Sequence, residues 1–304
     1  MNSTYHSDFP KEIISGVFVR QESSFRKYIS KRSEFSPNPE RYHIYLSHAC
    51  PWAHRVLITL KLKELDKSIS HSFVDPIRDE SGWKFDDDKY LDKINNFNYL
   101  SEAYHMTDKN YNKRVTVPVL WDKKRKLIIN NESSEIIEIL NNEFEEYSNR
   151  IDYLPLNLLK SMLDMNDYIY TNINNGVYKC GFATNQKIYN DEVKKLFSAL
   201  ELINSHLNDK KYLFGDVLTL TDIRLFVTLI RFDMVYYSHF KTSLKHIYNY
   251  DNLWSHTKRI YNHDKIRNTV NFDEIKRHYF LTHKHLNPSK IIPATDYILD
   301  LLNS

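Results

Sequence analysis

The sequence predicts an α/β domain followed by an all-helical one, and three observations predict it. Between residues 41 and 145, short β-forming runs and helical patterns follow the order β-α-β, then β-β-α. After a change of pattern over residues 148–155, the chain reads as successive helices. Glycine stands only at positions 16, 82, 176, 181 and 215, and no three of these form a phosphate-cradling loop, which excludes a dinucleotide-binding α/β domain. At roughly 150 residues per domain, 304 residues suit one large domain or two ordinary ones.

The elements follow in order. Residues 1–40 are polar, end in Ser36-Pro37-Asn38-Pro39 and read as an extended N-terminal arm. Arg41-Tyr42-His43-Ile44-Tyr45-Leu46 is rich in β-formers and predicts a strand. After the loop Ser47-His48-Ala49-Cys50, Pro51 fits the first helical position, where its missing N–H costs nothing. Val56, Leu57, Leu60 and Leu65 then recur near helical spacing. A second strand is expected over residues 69–74, ended by Asp75-Pro76. Residues 78–113 are polar, aromatic and irregular, with room for one short helix; a connection this long suits a binding loop.

Residues 115–121 are apolar and β-branched, but Pro118 within them argues for an edge strand or a special conformation. Leu127-Ile128-Ile129 forms its partner across the solvated basic turn Lys123-Lys124-Arg125-Lys126. Asn130-Asn131-Glu132-Ser133-Ser134 is a polar helix start ahead of Ile136, Ile137 and Leu140. Helices from residue 156 onward should break near 174–181, 211–216 and 238–241, and Thr219-Leu220-Thr221-Asp222 is a capping signal. The expected organisation is an arm over 1–40, an α/β domain over 41–145 and a linker over 146–155. A helical domain over 156–285 and a tail over 286–304 complete it.

Composition narrows the function classes. With 42 basic and 39 acidic residues, the charge is too balanced to imply nucleic acid. No run approaches 18 apolar residues, so no membrane span is expected. The first 30 residues lack a signal-peptide core, and Asp8, Glu12 and Glu22 weigh against a mitochondrial presequence; the expected location is the cytoplasm, with the mitochondrion as the alternative. Only Cys50 and Cys180 exist, which suits a reducing compartment rather than a disulfide scaffold. His278, His283 and His285 cluster without matching Cys or acidic ligands, so neither metal nor nucleotide is expected.

Three features carry chemistry. Cys50, directly before Pro51, lies where free backbone N–H groups and the positive helix end stabilise a thiolate. Position 53 is Ala, so there is no Cys-x-x-Cys pair, and a resolving thiol must come from a small molecule. Glu132-Ser133 at a helix start pairs a carboxylate for an ammonium group with donors for an anion. Pro118 in Thr116-Val117-Pro118 is the third. Taken singly, each has a plainer reading: a buried cysteine behaving as a small hydrophobe, an N-cap, and an edge-strand proline.

These residues resemble a known family. The segments are Cys50-Pro51-Trp52-Ala53-His54-Arg55, Gly82-Trp83-Lys84-Phe85, Arg114-Val115-Thr116-Val117-Pro118-Val119-Leu120-Trp121-Asp122 and Asn131-Glu132-Ser133-Ser134-Glu135-Ile136. Asn175-Gly176-Val177-Tyr178-Lys179-Cys180-Gly181-Phe182-Ala183, Arg231-Phe232-Asp233-Met234-Val235-Tyr236-Tyr237 and Asn271-Phe272-Asp273-Glu274-Ile275-Lys276-Arg277-His278-Tyr279 follow. Together, from about residue 35 to 293, they resemble the glutathionyl-hydroquinone reductases, the xi class of glutathione transferases, which are omega-like.

The resemblance implies a thioredoxin-like N-terminal α/β domain and an all-α glutathione-transferase C-terminal domain. It implies a cis Pro118, a mixed disulfide between Cys50 and glutathione as co-substrate, and glutathione contacts from Trp83, Arg114, Val117, Glu132 and Ser133. Trp83 packs on the tripeptide, Arg114 binds its glycyl carboxylate and Val117 supplies backbone groups. Tyr178, Tyr236 and Tyr279 face a glutathionylated aromatic substrate, and one of them acts as proton donor. Met234 replaces the family's usual Pro, which bears on helix geometry near Tyr236. A homodimer is implied as well. The competing functions are a general thiol transferase using the same cysteine, and a non-catalytic module, which the intact cysteine and Glu-Ser pair argue against. Conventional conjugation is disfavoured because it needs a Tyr or Ser donor where this chain has Cys50.

Overall fold

The computed structural model describes residues 12–86 and 88–304; the first eleven residues of the expected arm, with Asp8, lie outside it. The described chain forms two compact units. The first holds Gln21–Asp152 and Thr269–Thr282, and the second holds residues 12–20, Tyr153–Asn268 and His283–Ser304.

In chain order, β1 (Ile13–Ile14) and β2 (Val17–Phe18) form a small antiparallel hairpin of the second unit, turning at Gly16 with φ of 85°. The first unit then builds a sheet. β3 (Tyr42–Leu46) is buried at every position and occupies an interior place. Helix α1 (Pro51–Leu62) carries the chain over to β4 (Ser70–Phe73), which pairs parallel to β3, a connection that requires such a crossover. The short α2 (Ser101–Thr107) follows the long irregular segment. β5 (Val119–Asp122) pairs antiparallel with β3, β6 (Leu127–Asn130) pairs antiparallel with β5, and the strand order is β4-β3-β5-β6. Helix α3 (Ser133–Asn142) packs on α1.

Two expectations are sharpened here. Of the two readings of Pro118, the special conformation holds and the edge strand does not: the Val117–Pro118 bond is cis, and β5 lies between β3 and β6 and begins one residue after Pro118, so the missing N–H never enters the ladder. The arm is also not a free extension, because residues 25–27 run antiparallel to β6. Lys27 N–H donates to the Ile129 carbonyl at 2.9 Å, and Asn131 N–H donates to that of Phe25 at 3.0 Å. The arm thereby covers the sheet edge that β6 would otherwise expose.

The second unit is helical. It contains α4 (Leu159–Ile169), a π-helical turn at Tyr170–Asn174, α5 (Gly176–Gly181) and α6 (Gln186–His206). Next come α7 (Leu220–Arg231), a second π turn at Phe232–Tyr236 and α8 (Tyr237–His239). α9 (Asp251–Tyr261) and α10 (Asp264–Arg267) complete this stretch. The break expected near 174–181 falls at the end of that span: the π turn carries the chain from α4 into α5, which ends at Gly181, and residues 182–185 separate it from α6. Gly176 and Gly181 are the first and last residues of α5, where they let Leu196 and Phe240 approach closely. Thr219 and Asp222 form the expected capping box at α7.

Helix α11 (Phe272–Thr282) returns to the first unit, so the helical region expected over 156–285 is interrupted. Polar contacts of Glu274 and His278 with the α/β elements hold it there. The expected tail contains α12 (Tyr297–Asn303) in the second unit. Among the described residues no helix is long and apolar enough to cross a membrane.

Candidate active site

Cys50 is the N-cap residue of α1, in extended conformation (φ −78°, ψ 121°), with Pro51 at the first helical position. It is half-buried, and its Sγ lies 3.7 Å from the Val117 carbonyl oxygen. The Val117–Pro118 bond is cis, as the resemblance implied. The sulfur therefore stands at the open N–H end of a helix and beside the proline loop. The capping position leaves the first-turn N–H groups of α1 without intrahelical partners.

The proline loop is fixed from behind. Tyr104 on α2 donates its hydroxyl to the Thr116 carbonyl at 2.8 Å and accepts from Thr116 N–H at 3.1 Å. Asn131 Nδ2 donates to the same hydroxyl at 3.1 Å and to Thr116 Oγ1 at 3.3 Å. One buried phenol thus ties the loop before Pro118 to the segment leading into Glu132-Ser133. Burial, against the hydrogen bonds it makes, raises its pKa and keeps it a neutral donor.

Glu132 is the N-cap of α3, and its carboxylate accepts from Ser134 N–H at 3.0 Å, Ser134 Oγ at 2.7 Å and Ser23 Oγ at 2.9 Å. Burial works to raise its pKa, but Arg55 at 3.6 Å and these hydrogen bonds hold it below the ordinary carboxylate value. Arg55 comes from α1 and is fully buried. Its Nε and Nη2 donate to Ser133 Oγ at 3.0 and 2.6 Å. Two accepted bonds occupy both lone pairs of that hydroxyl, so its own O–H is left to donate to an anion. Ser133 is only 4% exposed. The sequence places Arg55 within the Cys50 segment but does not disclose that it bridges the nucleophile helix to the Glu-Ser helix start. Nor does it disclose Ser23, whose chain lies 109 residues away in sequence.

The remaining expected glutathione contacts belong to this first unit. Arg114 is half-buried, with its carbonyl held by the Tyr111 hydroxyl at 2.7 Å. Trp83 is only 5% exposed; its ring stacks on His278 at 5.2 Å, and the Arg78 guanidinium lies 5.2 Å from its centre. Backbone bonds from Leu100 N–H to the Trp83 carbonyl and from Phe85 N–H to that of Asn98 make the long irregular segment a cross-braced loop.

The three tyrosines divide. Tyr279, on α11, is buried in the first unit, edge-on to His278. Tyr178 on α5 and Tyr236 at the end of the second π turn are neighbours in the other unit, with ring centres 6.2 Å apart. Phe240 stacks on Tyr236 at 5.3 Å and lies 5.2 Å from Tyr178, and Phe18 of the hairpin stacks on Tyr178 at 5.9 Å. Met234 sits within that π turn. Cys180 is buried, which with the nearby Glu192 pushes its thiol up to about 12, so it is no nucleophile at neutral pH. Among the described residues no group of His, Cys, Asp or Glu is arranged to hold a metal ion.

Comparison with known proteins places these residues in a family. The model of the glutathione S-transferase N-terminal domain matches residues 49–143, and that of the C-terminal domain matches residues 186–259. The glutathionyl-hydroquinone reductase PcpF of Sphingobium chlorophenolicum is 43% identical over 92% of this chain and 90% of its own length. The glutathionyl-hydroquinone reductase YqjG of Escherichia coli is 44% identical over 91% of this chain and 88% of its own. Among solved structures, the glutathione-S-transferase Xi from Phanerochaete chrysosporium superposes with a TM-score of 0.88 at 41% identity, covering 91% of this chain and 97% of that one. The glutathione-bound structure of the Escherichia coli homologue does so with 0.87 at 43% identity, covering 89% and 92%. With that sulfur, proline loop and Glu-Ser helix start in one unit, the chain belongs to the xi-class glutathione transferases, the family of the glutathionyl-hydroquinone reductases.

Proposed function

We propose that this protein is a glutathionyl-hydroquinone reductase: it reduces S-glutathionyl-hydroquinones to hydroquinones with glutathione as co-substrate, through a mixed disulfide on Cys50. The observation that carries the reading is Cys50 at the N-cap of α1, its sulfur 3.7 Å from the Val117 carbonyl, on a helix that Arg55 anchors to Glu132-Ser133. The γ-glutamyl ammonium pairs with Glu132, and its carboxylate accepts from the Ser133 hydroxyl and the N–H groups of α3. Arg114 takes the glycyl carboxylate, the Val117 backbone pairs with the cysteinyl part and Trp83 forms a wall of the tripeptide site.

The Cys50 thiolate attacks the glutathione sulfur of the substrate. The new S–S bond forms as the sulfur–aryl carbon bond breaks, and the electron pair passes to the ring carbon, which takes up a proton. A tyrosine hydroxyl, from Tyr178, Tyr236 or Tyr279, supplies that proton or polarises the ring oxygen; a neutral phenol is a better donor than base. A second glutathione, as thiolate, attacks the mixed disulfide, releasing oxidised glutathione and restoring Cys50. Ring stacking selects an aromatic substrate.

Both cysteines are free, which supports the cytoplasm as the working compartment. The assembly proposed is the homodimer implied by the family. The test is Cys50→Ala assayed for reduction of a model glutathionyl-hydroquinone. We expect turnover to vanish and, in the wild type, one glutathione adduct on Cys50 and none on Cys180 by mass spectrometry. Retained turnover would sink the mechanism. A general thiol transferase would use the same sulfur, and a panel of dehydroascorbate, glutathionylated protein and hydroquinone adducts separates the two.

A further inference from the structure

One buried carboxylate of the cysteine's unit has no part in the scheme above. Glu274, on α11, is 1% exposed. Its Oε1 accepts from Lys89 Nζ at 2.9 Å, the Tyr90 hydroxyl at 3.0 Å and Asn271 Nδ2 at 2.9 Å. Its Oε2 accepts from His48 Nδ1 at 3.0 Å, across 226 residues of sequence. His48 stands two residues before Cys50, in the loop that delivers the sulfur to the helix start, and its imidazole is stacked on Phe73 of β4 at 3.8 Å. Facing an ionised carboxylate, Nδ1 carries the proton, so ring orientation and tautomer are both set. One helical turn beyond Glu274, His278 Nδ1 donates to the Pro76 carbonyl at 2.5 Å and the ring stacks on Trp83. Helix α11 therefore grips the loop of Cys50 with one residue and the loop of Trp83 with another.

A buried ion pair adds little net stability over apolar packing, but it does fix geometry. We infer that Glu274 is a positioning residue of this enzyme: through His48 it holds the loop carrying Cys50, and so sets the line of approach of the sulfur to the glutathione sulfur. The inference rests on the Cys50 reading. Displacement at sulfur needs an in-line approach, and a misplacement of about 1 Å can cost on the order of 100-fold.

The experiment uses the full chain and oxidised glutathione as probe. The Cys50 thiolate attacks one sulfur of the probe, a Cys50–glutathione disulfide forms and one glutathione thiolate leaves, so no hydroquinone is needed. The rate of adduct formation per folded molecule is followed by mass spectrometry in the wild type, Glu274→Gln, His48→Asn and the double variant. Each single change should slow the adduct about 10-fold or more, with half-saturation by the probe altered less than about two-fold. If Glu274 acts through His48, the double variant is no slower than the slower single one. A Glu274→Gln rate equal to wild type, or losses that multiply in the double variant, overturns the inference. If Glu274→Gln does not fold, His48→Asn decides alone: an unchanged rate overturns it. A wild type whose Cys50 forms no adduct instead removes the proposed function.

Discussion

The cysteine's unit and the Tyr178–Tyr236 region are held by opposite means. Around Cys50, chain segments far apart in sequence are joined by charged and polar side chains: Arg55 to Ser133 and Glu132, Ser23 to Glu132, and Glu274 to His48 and Lys89. Around Tyr178 and Tyr236 the contacts are ring against ring, with Phe18, Phe182 and Phe240, and the backbone bends through two π turns. The difference matches what each region is proposed to meet. A tripeptide with fixed charges calls for fixed counter-charges, whereas rings of varied substitution call for surfaces that select flatness and polarisability.

The comparison breaks most sharply at Arg55. Replacing it with Met leaves Glu132 without its cation and Ser133 without two donors, and removal of one partner from a buried ion pair costs about 3–5 kcal/mol. Urea unfolding should show that loss, and half-saturation by glutathione should rise at least 10-fold. Glu132 would also regain a higher pKa, so glutathione binding through its charged carboxylate, as proposed, would fail at higher pH than in the wild type. Unchanged binding at every pH would show that the polar network serves only the fold.

Glu274 makes the same point through acid stability. Burial alone would raise its pKa, but His48, Lys89 and Tyr90 hold it down at about 2, against an ordinary 4.5. A depressed folded value means that the stabilisation is complete above the unfolded pKa and is lost as pH falls through the folded one. The shift corresponds to about 3 kcal/mol. Unfolding free energies of wild type and Glu274→Gln should differ by about that much at pH 6 and converge between pH 4.5 and 2. A gap independent of pH would deny the network its charge.

This contrast also explains what the sequence could disclose. Cys50-Pro51, Thr116-Val117-Pro118 and Glu132-Ser133 are local patterns, each with a backbone consequence, and the structure brings all three into one unit. The order of elements along the chain was legible as well, but not the order of strands in the sheet, where the Pro118 strand proved interior. Long-range side-chain bonds leave no such trace. Nothing near Glu274 says that it will meet His48, so α11 looked like one more helix of the helical region. The arm pairs with β6 through backbone groups, which carry no residue signature. The glycines at 176 and 181 bound α5, and spacing alone does not disclose that each also gives room to a neighbouring side chain, Leu196 and Phe240.

The aromatic side of the comparison is most exposed at Gly181. A Cβ added there would meet the Phe240 ring at 2.3 and 2.4 Å, and Phe240 is the ring stacked on Tyr236. Gly181→Ala should cost about 1–3 kcal/mol through overpacking. It should lower turnover of the glutathionyl-hydroquinone while leaving the rate of Cys50 adduct formation with oxidised glutathione near wild type. Equal loss of both would mean that the aromatic cluster is not a separate functional part. Tyr178→Phe, which keeps the rings and removes one hydroxyl, should lower turnover more than glutathione affinity.

The smallest effect is expected at Arg20, where a charge enters the aromatic region. Its guanidinium lies 5.3 Å from the Tyr178 ring centre and 5.7 Å from that of Phe18, and its Nε donates to Asn175 Oδ1 at 3.1 Å. A half-buried cation over a ring contributes about 0.5–1 kcal/mol. Arg20→Gln can keep a hydrogen bond to Asn175 while it removes the cation. Stability should fall by no more than about 1 kcal/mol. If the cation steadies the Tyr178 ring for the aromatic substrate, turnover should fall about two- to five-fold, which is the same energy expressed as a rate. Adduct formation on Cys50 should stay unchanged. A larger fall in adduct formation than in turnover would assign Arg20 to the charged side of the comparison instead, and with it the hairpin that precedes it.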